Sequence, residues 1–146
     1  MKLNQKQYIG QIGENVACKF LKKRGFKIVD RNYRKKWGEI DIVSLKDKEI
    51  HFVEVKTVSR DIDLDVLNET DPKRFCHSGT YEVKNDEYRA EENVHPWKIK
   101  RLNRAIESYL EEKKVSDDTN WTLDLVVVYL DLEGKKARVD YLENIF

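Results

Sequence analysis

Residues 38–57 read GEIDIVSLKDKEIHFVEVKT, and this stretch predicts the centre of the fold. Two apolar runs, 39–45 and 49–57, flank a short polar link, which is typical of a β-hairpin. If Asp47 and Lys48 form a two-residue turn, Asp41 lies opposite Glu54. One face of the hairpin then carries Asp41, Val43, Leu45, Ile50, Phe52 and Glu54, and the other carries Ile40, Ile42, Val53 and Val55. Because both faces carry apolar residues, we expect two central strands covered on both sides.

The residues before the hairpin predict a helix and a short strand. An apolar stripe recurs every four residues from Tyr8 to Phe20, which indicates an amphipathic helix from about Gln5 to Arg24. Gly25 follows it, as is common after a helix C-terminus. Residues 26–29 predict a short strand, and the basic segment 31–36 separates that strand from the hairpin.

The residues after the hairpin predict an insertion, a second helix and one or two further strands. Segment 58–94 is acidic and weakly periodic, so it is typical of an insertion with some structure of its own. A helix is expected from Pro96, with its apolar stripe running from Ile99 to Leu110. Residues 121–132 predict a strong strand and 137–142 a short edge strand. The order α-β-β-β, insertion, α-β-(β) favours an α/β fold with a mixed central sheet, in one domain over residues 1–146.

Composition narrows the class of protein. The chain has 146 residues, of which 40% are hydrophobic, enough for one core. The longest apolar run, 125–130, is far shorter than the roughly 20 residues that cross a bilayer, and the N-terminus lacks the apolar stretch of a signal peptide. We therefore expect a cytoplasmic protein that does not engage a membrane. Cys18 and Cys76 are too few and too far apart to predict a disulfide framework or a zinc site.

The charge of the chain is unevenly distributed. The formal net charge is only +1, but the first 36 residues hold eleven Lys and Arg against two acidic residues. Such asymmetry favours a basic face that meets a polyanion. A solvated helix face followed by a basic loop is the alternative.

Charged residues interrupt the predicted central strands. Asp41, Glu54 and Lys56 share one face of the hairpin in the expected register, and buried charges need a partner or a metal. Two carboxylates with the backbone carbonyl of Val55 are suitable oxygen ligands for Mg²⁺ or Mn²⁺, and a lysine beside them can stabilise an anionic transition state. This combination is typical of phosphodiester hydrolysis, although a buried ion pair kept for packing remains the alternative. Glu14 is either a further carboxylate of this site or the partner of a nearby lysine.

Several spaced motifs resemble a known family. They are Gly10-x-x-Gly13-Glu14-x-x-Ala17, Gly25-Phe26-x-Ile28, Asn32-Tyr33-Arg34, Gly38-Glu39-Ile40-Asp41-Ile42-Val43 and Phe52-Val53-Glu54-Val55-Lys56-Thr57. Together they resemble the YraN family of bacterial proteins, which is similar to Holliday-junction resolvases and to the PD-(D/E)xK nucleases. The resemblance covers nearly all of residues 8–57 and resumes more weakly at 98–110 and 121–130.

The resemblance implies a restriction-endonuclease-like core and assigns roles to five side chains. Asp41 and Glu54 would be metal-binding carboxylates for Mg²⁺, with Mn²⁺ as a substitute. Lys56 would be the catalytic lysine, Glu14 the acid of the first helix, and Lys98 a residue beside the site. Ile40 stands where the superfamily has proline, and the acidic segment 58–94 is longer than expected.

The expected activity is metal-dependent endonucleolytic cleavage of nucleic acid, with DNA as the favoured substrate, branched or single-stranded forms included. Basic residues expected to contact phosphates are Lys22, Lys23, Arg31, Arg34, Lys35, Lys36, Lys100, Arg101 and Arg104. Tyr33, Trp37 and Trp97 either stack on exposed bases or pack in the protein.

Two alternatives to the nuclease stay open. One is a non-catalytic nucleic-acid-binding module or adaptor in DNA repair or recombination. The other is an adaptor whose acidic segment 61–92 binds a protein. A homodimer is a further expectation, since resolvase-like relatives often dimerise.

Overall fold

A computed structural model of the chain describes residues 3–60 and 96–145. The described helices are α1 (Gln5–Lys23) and α2 (Pro96–Glu112). The strands are β1 (Lys27–Lys35), β2 (Gly38–Lys46), β3 (Glu49–Arg60), β4 (Trp121–Asp131) and β5 (Lys136–Leu142). Neither described helix is long and apolar enough to cross a membrane. Residues 61–95, which include Cys76 and most of the predicted insertion, lie outside the described part.

The five strands form one mixed sheet in the order β1-β2-β3-β4-β5. Strands β3 and β4 are parallel, whereas the other three neighbouring pairs are antiparallel. A parallel pair needs a long crossover connection, and α2 lies within that connection. The observed α/β fold therefore confirms the predicted architecture and is consistent with a restriction-endonuclease-like core.

The two helices cover opposite faces of the sheet. Ile42 and Val53 pack in one hydrophobic cluster with α1, while Val43 and Phe52 pack in another with α2. Successive side chains of a strand point to opposite faces, so neighbours in sequence face different helices. The prediction that β2 and β3 are central strands covered on both sides is confirmed.

Both helices begin where the sequence predicts. Asn4 caps α1 through a capping box with Gln7: its side chain accepts from the Gln7 N–H at 2.8 Å, and its own N–H donates to the Gln7 side chain at 3.1 Å. The helix ends at Lys23, just before Gly25, whose φ of +87° suits glycine. Cys18 is buried on the inner face of α1. The second helix, α2, starts at Pro96.

The hairpin between β2 and β3 has the predicted register. Ile42 pairs with Val53, and Lys46 pairs with Glu49. Asp47 and Lys48 form the turn with φ values of 51° and 66°, which match the positive angles of a type I′ turn. This turn sets the pairing that brings Asp41 beside Glu54.

Two predicted boundaries are wrong. The short strand 26–29 is in fact β1, which continues through the basic segment to Lys35 because its backbone pairs with β2. As an edge strand it can expose charged side chains on both sides. Residues 58–60, predicted to open the insertion, instead extend β3, because they continue its parallel pairing with β4.

The predicted face of Ile40 is also wrong. Ile40 packs with Val43 and α2 rather than with Ile42 and α1. Its partner Tyr33 belongs to the same cluster, whereas Arg31 pairs with Ile42. Between Arg31 and Tyr33 lies Asn32, with a left-handed φ of 51°. The two-residue alternation assumed for β2 therefore fails between Ile40 and Ile42, opposite this left-handed residue.

Candidate active site

Close packing of α1 on β3 brings the first helix to the end of the hairpin that carries Asp41, Glu54 and Lys56. A Cβ placed on Gly13 would lie 1.8 Å from Oγ1 of Thr57, so only glycine fits at this contact. Gly10, one turn earlier, has nothing within 4 Å of such a Cβ and lines the cleft beside the sheet. The next residue after Gly13 is Glu14, and the close approach carries its side chain to the same cleft.

Asp41 and Glu54 lie side by side on β2 and β3. The Val55 N–H donates a hydrogen bond to Oδ2 of Asp41 at 2.8 Å, which holds that carboxylate across the strand pair. Glu54 is buried, with 7% of its surface exposed. Burial of Asp41, followed by the negative charge of Glu54, raises the pKa of Asp41 well above its ordinary value.

Two lysines flank the carboxylates. Nζ of Lys98, on the first turn of α2, forms an ion pair with Oε1 of Glu54. Lys56 follows Glu54 by two residues on β3, so both side chains leave the same face of the strand, and both line the same cleft. The structure therefore brings together the two carboxylates and the two lysines that the resemblance assigns to the site.

Glu14 lines the larger cleft with the two carboxylates and also forms an ion pair. Its Oε2 lies 3.7 Å from Nη2 of Arg31, so its ion-pair partner is an arginine of β1 rather than a lysine. Nη2 of Arg31 also donates to Oδ1 of Asn15 at 3.0 Å. Burial raises the pKa of Glu14, although a hydrogen bond from Asn32 and the Arg31 charge oppose that rise. Its negative charge also contributes to the raised pKa of Asp41.

Asp41, Glu54 and Lys98 lie where two clefts meet. The larger cleft, of about 820 Å³, runs between the N-terminal half of α1 and the end of β3. The smaller, of about 300 Å³, runs toward α2 and is lined by Trp97 and Arg101. A ligand lying along both clefts would pass directly over the carboxylates.

The donors present suit a hard divalent cation. Two carboxylates and a backbone carbonyl in one cleft offer oxygen ligands of the kind that Mg²⁺ prefers, and a cation would offset the repulsion that raises the pKa of Asp41. Within residues 3–60 and 96–145, however, no group of three or more His, Cys, Asp or Glu side chains is gathered for a metal. The set Asp41, Glu54 and the Val55 carbonyl, with Glu14 as a fourth donor, stays a prediction.

The basic residues predicted to contact phosphates lie in four places. Lys22 and Lys23 lie in the last turn of α1, at the end opposite the cleft. On β1, Arg31, Arg34 and Lys35 form ion pairs with Glu14, Glu39 and Glu112 respectively. The remaining four lie at the β1–β2 turn and on α2, and of these Arg101 lines the smaller cleft: Lys36, Lys100, Arg101 and Arg104.

The three aromatic residues considered for base stacking differ in their surroundings. Tyr33 is buried, and its hydroxyl donates to Oε2 of Glu112. Trp37 is half-buried, and its Nε1 donates to Oγ of Ser108 at 2.9 Å. Packing therefore accounts for these two side chains, whereas Trp97 is 57% exposed.

A buried polar network on β3 and β4 was missed in the sequence. Oδ2 of Asp124, which is fully buried, lies 2.7 Å from Nδ1 of His51 and accepts from the Tyr141 hydroxyl at 2.5 Å. Its Oδ1 accepts from the Asn144 N–H at 2.9 Å. The sequence signal that could have revealed it is Asp124, which interrupts the apolar run of β4. The network ties β5 and the residues after it to the centre of the sheet.

The fold and the site define a class of α/β protein with a mixed sheet and a pair of carboxylates where two clefts meet. The sequence pattern of the uncharacterised protein family UPF0102 matches residues 13–128, and the chain belongs to that family. This is the YraN family recognised in the sequence motifs, so that prediction is confirmed.

Individual relatives carry the same family description. A UPF0102 protein of Campylobacter jejuni is 32% identical over 136 residues, covering 93% of this chain and 91% of the relative. One of Alkaliphilus oremlandii is 33% identical over 138 residues, covering 94% and 97%. One of Thermotoga petrophila is 62% identical over 50 residues, covering 34% and 46%.

Proposed function

We propose that this protein is a metal-dependent endonuclease that hydrolyses phosphodiester bonds in nucleic acid, with DNA as its substrate. The observation that carries the proposal is the position of Asp41 and Glu54, which are held beside each other by the β2–β3 register at the meeting point of two clefts. A structural ion pair alone needs neither two carboxylates nor an open cleft.

Asp41, Glu54 and the Val55 carbonyl are the groups that would hold Mg²⁺ or Mn²⁺. When bound, such an ion stabilises charge on a phosphoryl oxygen and lowers the pKa of a coordinated water. The hydrogen bond from the Val55 N–H keeps Asp41 in one orientation, so little rearrangement is needed before a cation binds.

The lysines of the site supply positive charge where a phosphate would lie. Lys56 lies on the face of β3 that carries Glu54. It would orient the attacking water and stabilise the negative charge of the transition state. Hydrolysis joins the water oxygen to phosphorus, breaks one phosphorus–oxygen ester bond and leaves a proton on the departing sugar oxygen. Arg101, on the wall of the smaller cleft, would contact a neighbouring phosphate.

A non-catalytic nucleic-acid-binding module is the second candidate. It is favoured by the Lys98–Glu54 ion pair, which already neutralises one carboxylate of the site. The same cleft and the same basic residues would then serve binding alone.

Cleavage of a substrate panel distinguishes the two candidates. Single-stranded, duplex, flap and four-way-junction DNA and RNA are incubated with wild type, Glu54→Ala and Lys56→Ala, in Mg²⁺, in Mn²⁺ and in chelator. Matched controls are Glu111→Ala and Lys27→Ala, which remove exposed side chains elsewhere on the surface. The nuclease predicts metal-dependent cleavage that only the site variants lose. Binding without cleavage, retained in Glu54→Ala, would instead support the module.

A further inference from the structure

Trp97 is the most exposed large apolar side chain of the described residues. Its exposed fraction is 57%, against 52% for Val29 and 50% for Leu3. Exposing an indole ring of this size leaves a large apolar area in water. Single exposed apolar residues are common on protein surfaces, so the surroundings of Trp97 decide what its exposure means.

The surroundings of Trp97 indicate what kind of ligand it would take. Trp97 lines the smaller cleft together with Asp41, Glu54 and Lys98. The guanidinium carbon of Arg101 lies 5.7 Å from the centre of its ring. An aromatic face beside an arginine, next to a carboxylate pair, combines a stacking surface for a base with a positive charge for a phosphate.

Arg101 is held rigidly beside Trp97. Its Nε donates to the Trp37 carbonyl oxygen at 3.1 Å. Its own carbonyl oxygen packs so closely on Gly38 that a Cβ there would lie 2.4 Å away. The first turns of α2 are therefore fixed against the start of β2, and a preorganised surface loses less entropy when a ligand binds.

We propose that Trp97 is a base-stacking residue that, with Arg101, receives an unpaired nucleotide beside the Asp41–Glu54 pair, so that the protein selects single-stranded DNA segments over continuous duplex. A base inside a duplex is stacked on its neighbours and must be unstacked before it can reach an indole ring. A single-stranded base has free faces and meets Trp97 without that cost. The choice of nucleic acid as ligand rests on the proposed function, but the stacking contact does not require cleavage.

Binding measured without cleavage tests the proposal. Fluorescein-labelled thymidine oligonucleotide and a duplex of equal length are titrated, in chelator, with wild type, Trp97→Ala and Trp97→Phe. Stacking on one base typically changes affinity by about tenfold to a hundredfold. We expect Trp97→Ala to lose at least tenfold in single-strand affinity with duplex affinity unchanged, and Trp97→Phe to retain most of the single-strand affinity. Circular dichroism and thermal unfolding establish that each variant is folded.

Tryptophan fluorescence supplies an independent readout. A base stacked on an indole quenches its emission, so single-stranded DNA should quench wild type and Trp121→Phe strongly but Trp97→Phe weakly. Trp121 is the matched control because it is 40% exposed and packs on Phe52 away from the clefts, with the ring centres 5.7 Å apart.

The outcomes separate this inference from the proposed function. Quenching through Trp97 without cleavage of any substrate would overturn the nuclease and support the stacking residue. Metal-dependent cleavage with single-strand binding that folded Trp97→Ala retains would overturn the stacking residue alone. If Trp97→Ala loses as much affinity for duplex as for single-stranded DNA, the stacking residue is also overturned. Such a result would indicate that Trp97 contacts any nucleic acid. A wild-type protein that binds no nucleic acid would overturn both.

Discussion

Asp41 accepts a hydrogen bond from the Val55 N–H, with Oδ2 and N 2.8 Å apart, across the two central strands. That bond fixes one carboxylate beside another, because Glu54 is the residue directly before Val55. Burial and the Glu54 charge both raise the pKa of Asp41, so its ionised form is disfavoured here. The protein retains this unfavourable pair at the point where two clefts meet, which is the reason for regarding it as functional.

Replacing Asp41 with asparagine should stabilise the protein while removing its proposed activity. The asparagine side chain keeps an oxygen that can accept from the Val55 N–H but removes a partly buried negative charge. We expect a gain of about 0.5–2 kcal/mol in the free energy of unfolding, the range typical of single stabilising substitutions. Urea unfolding without divalent cations measures the gain. A loss of stability would show that the Asp41 charge is compensated within the protein.

Stability without divalent cations should fall as the pH rises above the ordinary pKa of Asp and Glu. The pKa values of Asp41 and Glu14 are raised in the folded state, so the folded protein binds more protons than the unfolded chain between the ordinary and the raised values. The protonated carboxyl groups contribute their full stabilisation below the ordinary pKa. That contribution disappears as the pH rises through the raised pKa. Urea unfolding across pH, with wild type and Asp41→Asn compared, measures this. If the free energy of unfolding changes with pH equally in wild type and in Asp41→Asn, the assignment to Asp41 is wrong.

Gly13 should tolerate no side chain, whereas Gly10 should. A Cβ on Gly13 would overlap Thr57, 1.8 Å from its Oγ1, while a Cβ on Gly10 meets nothing within 4 Å. We expect Gly13→Ala to cost about 1–3 kcal/mol through overpacking and Gly10→Ala to gain up to about 1 kcal/mol from helix propensity. Thermal unfolding compares them. Thr57→Ala should restore part of the loss in Gly13→Ala, and equal effects of the two alanines would contradict this account.

Lys98→Met should separate cation binding from cleavage. The substitution frees Glu54 from its ion pair, so cation affinity should rise a few-fold, in line with a partly exposed pair worth about 1 kcal/mol or less. Cleavage at saturating Mg²⁺ should fall, because positive charge beside the phosphate is lost. Calorimetry and single-turnover cleavage measure the two effects, with Lys27→Met as the control, an exposed lysine on β1 outside both clefts. Loss of cation affinity would contradict competition between Lys98 and the cation.

The Asp124 network should support the fold rather than the site. Removing the carboxylate in Asp124→Ala leaves His51 and the Tyr141 hydroxyl without a shared partner, and each buried polar group left unsatisfied costs about 1–3 kcal/mol. Tyr141→Phe removes one hydrogen bond and should cost about 1–2 kcal/mol. Urea unfolding gives both values. Folded Tyr141→Phe should cleave as wild type does, and a selective loss of cleavage would assign the network to the site.

The fold was largely predictable because its central hairpin carries strong local signals. The polar link at Asp47 and Lys48 set the register, and that register alone placed Asp41 beside Glu54. The face of Ile40 was not predictable from alternation within the hairpin, because Ile40 packs with Tyr33 of the neighbouring strand and with α2. The length of β1 was missed for a related reason: a basic edge strand resembles a loop in sequence, and only its pairing with β2 distinguishes the two.

The positions of the candidate site residues were predictable from the sequence, but their contacts were not. The positions of Asp41, Glu54 and Lys56 followed from alternation within the hairpin. The ion pair of Lys98 with Glu54 and that of Glu14 with Arg31 join residues far apart in sequence, and no local pattern reports such distances. Likewise, nothing in the sequence distinguished exposed Trp97 from the packed Tyr33 and Trp37.

Titration of Mn²⁺ into the protein tests the central claim most directly, because the proposed chemistry requires a cation held by Asp41 and Glu54. Calorimetry compares wild type, Asp41→Asn and Asp117→Asn, the last changing an exposed aspartate in the turn before β4. We predict saturable binding by wild type and Asp117→Asn and its loss in Asp41→Asn. Binding to Asp41→Asn as tight as to wild type, or no binding to wild type, would contradict the account.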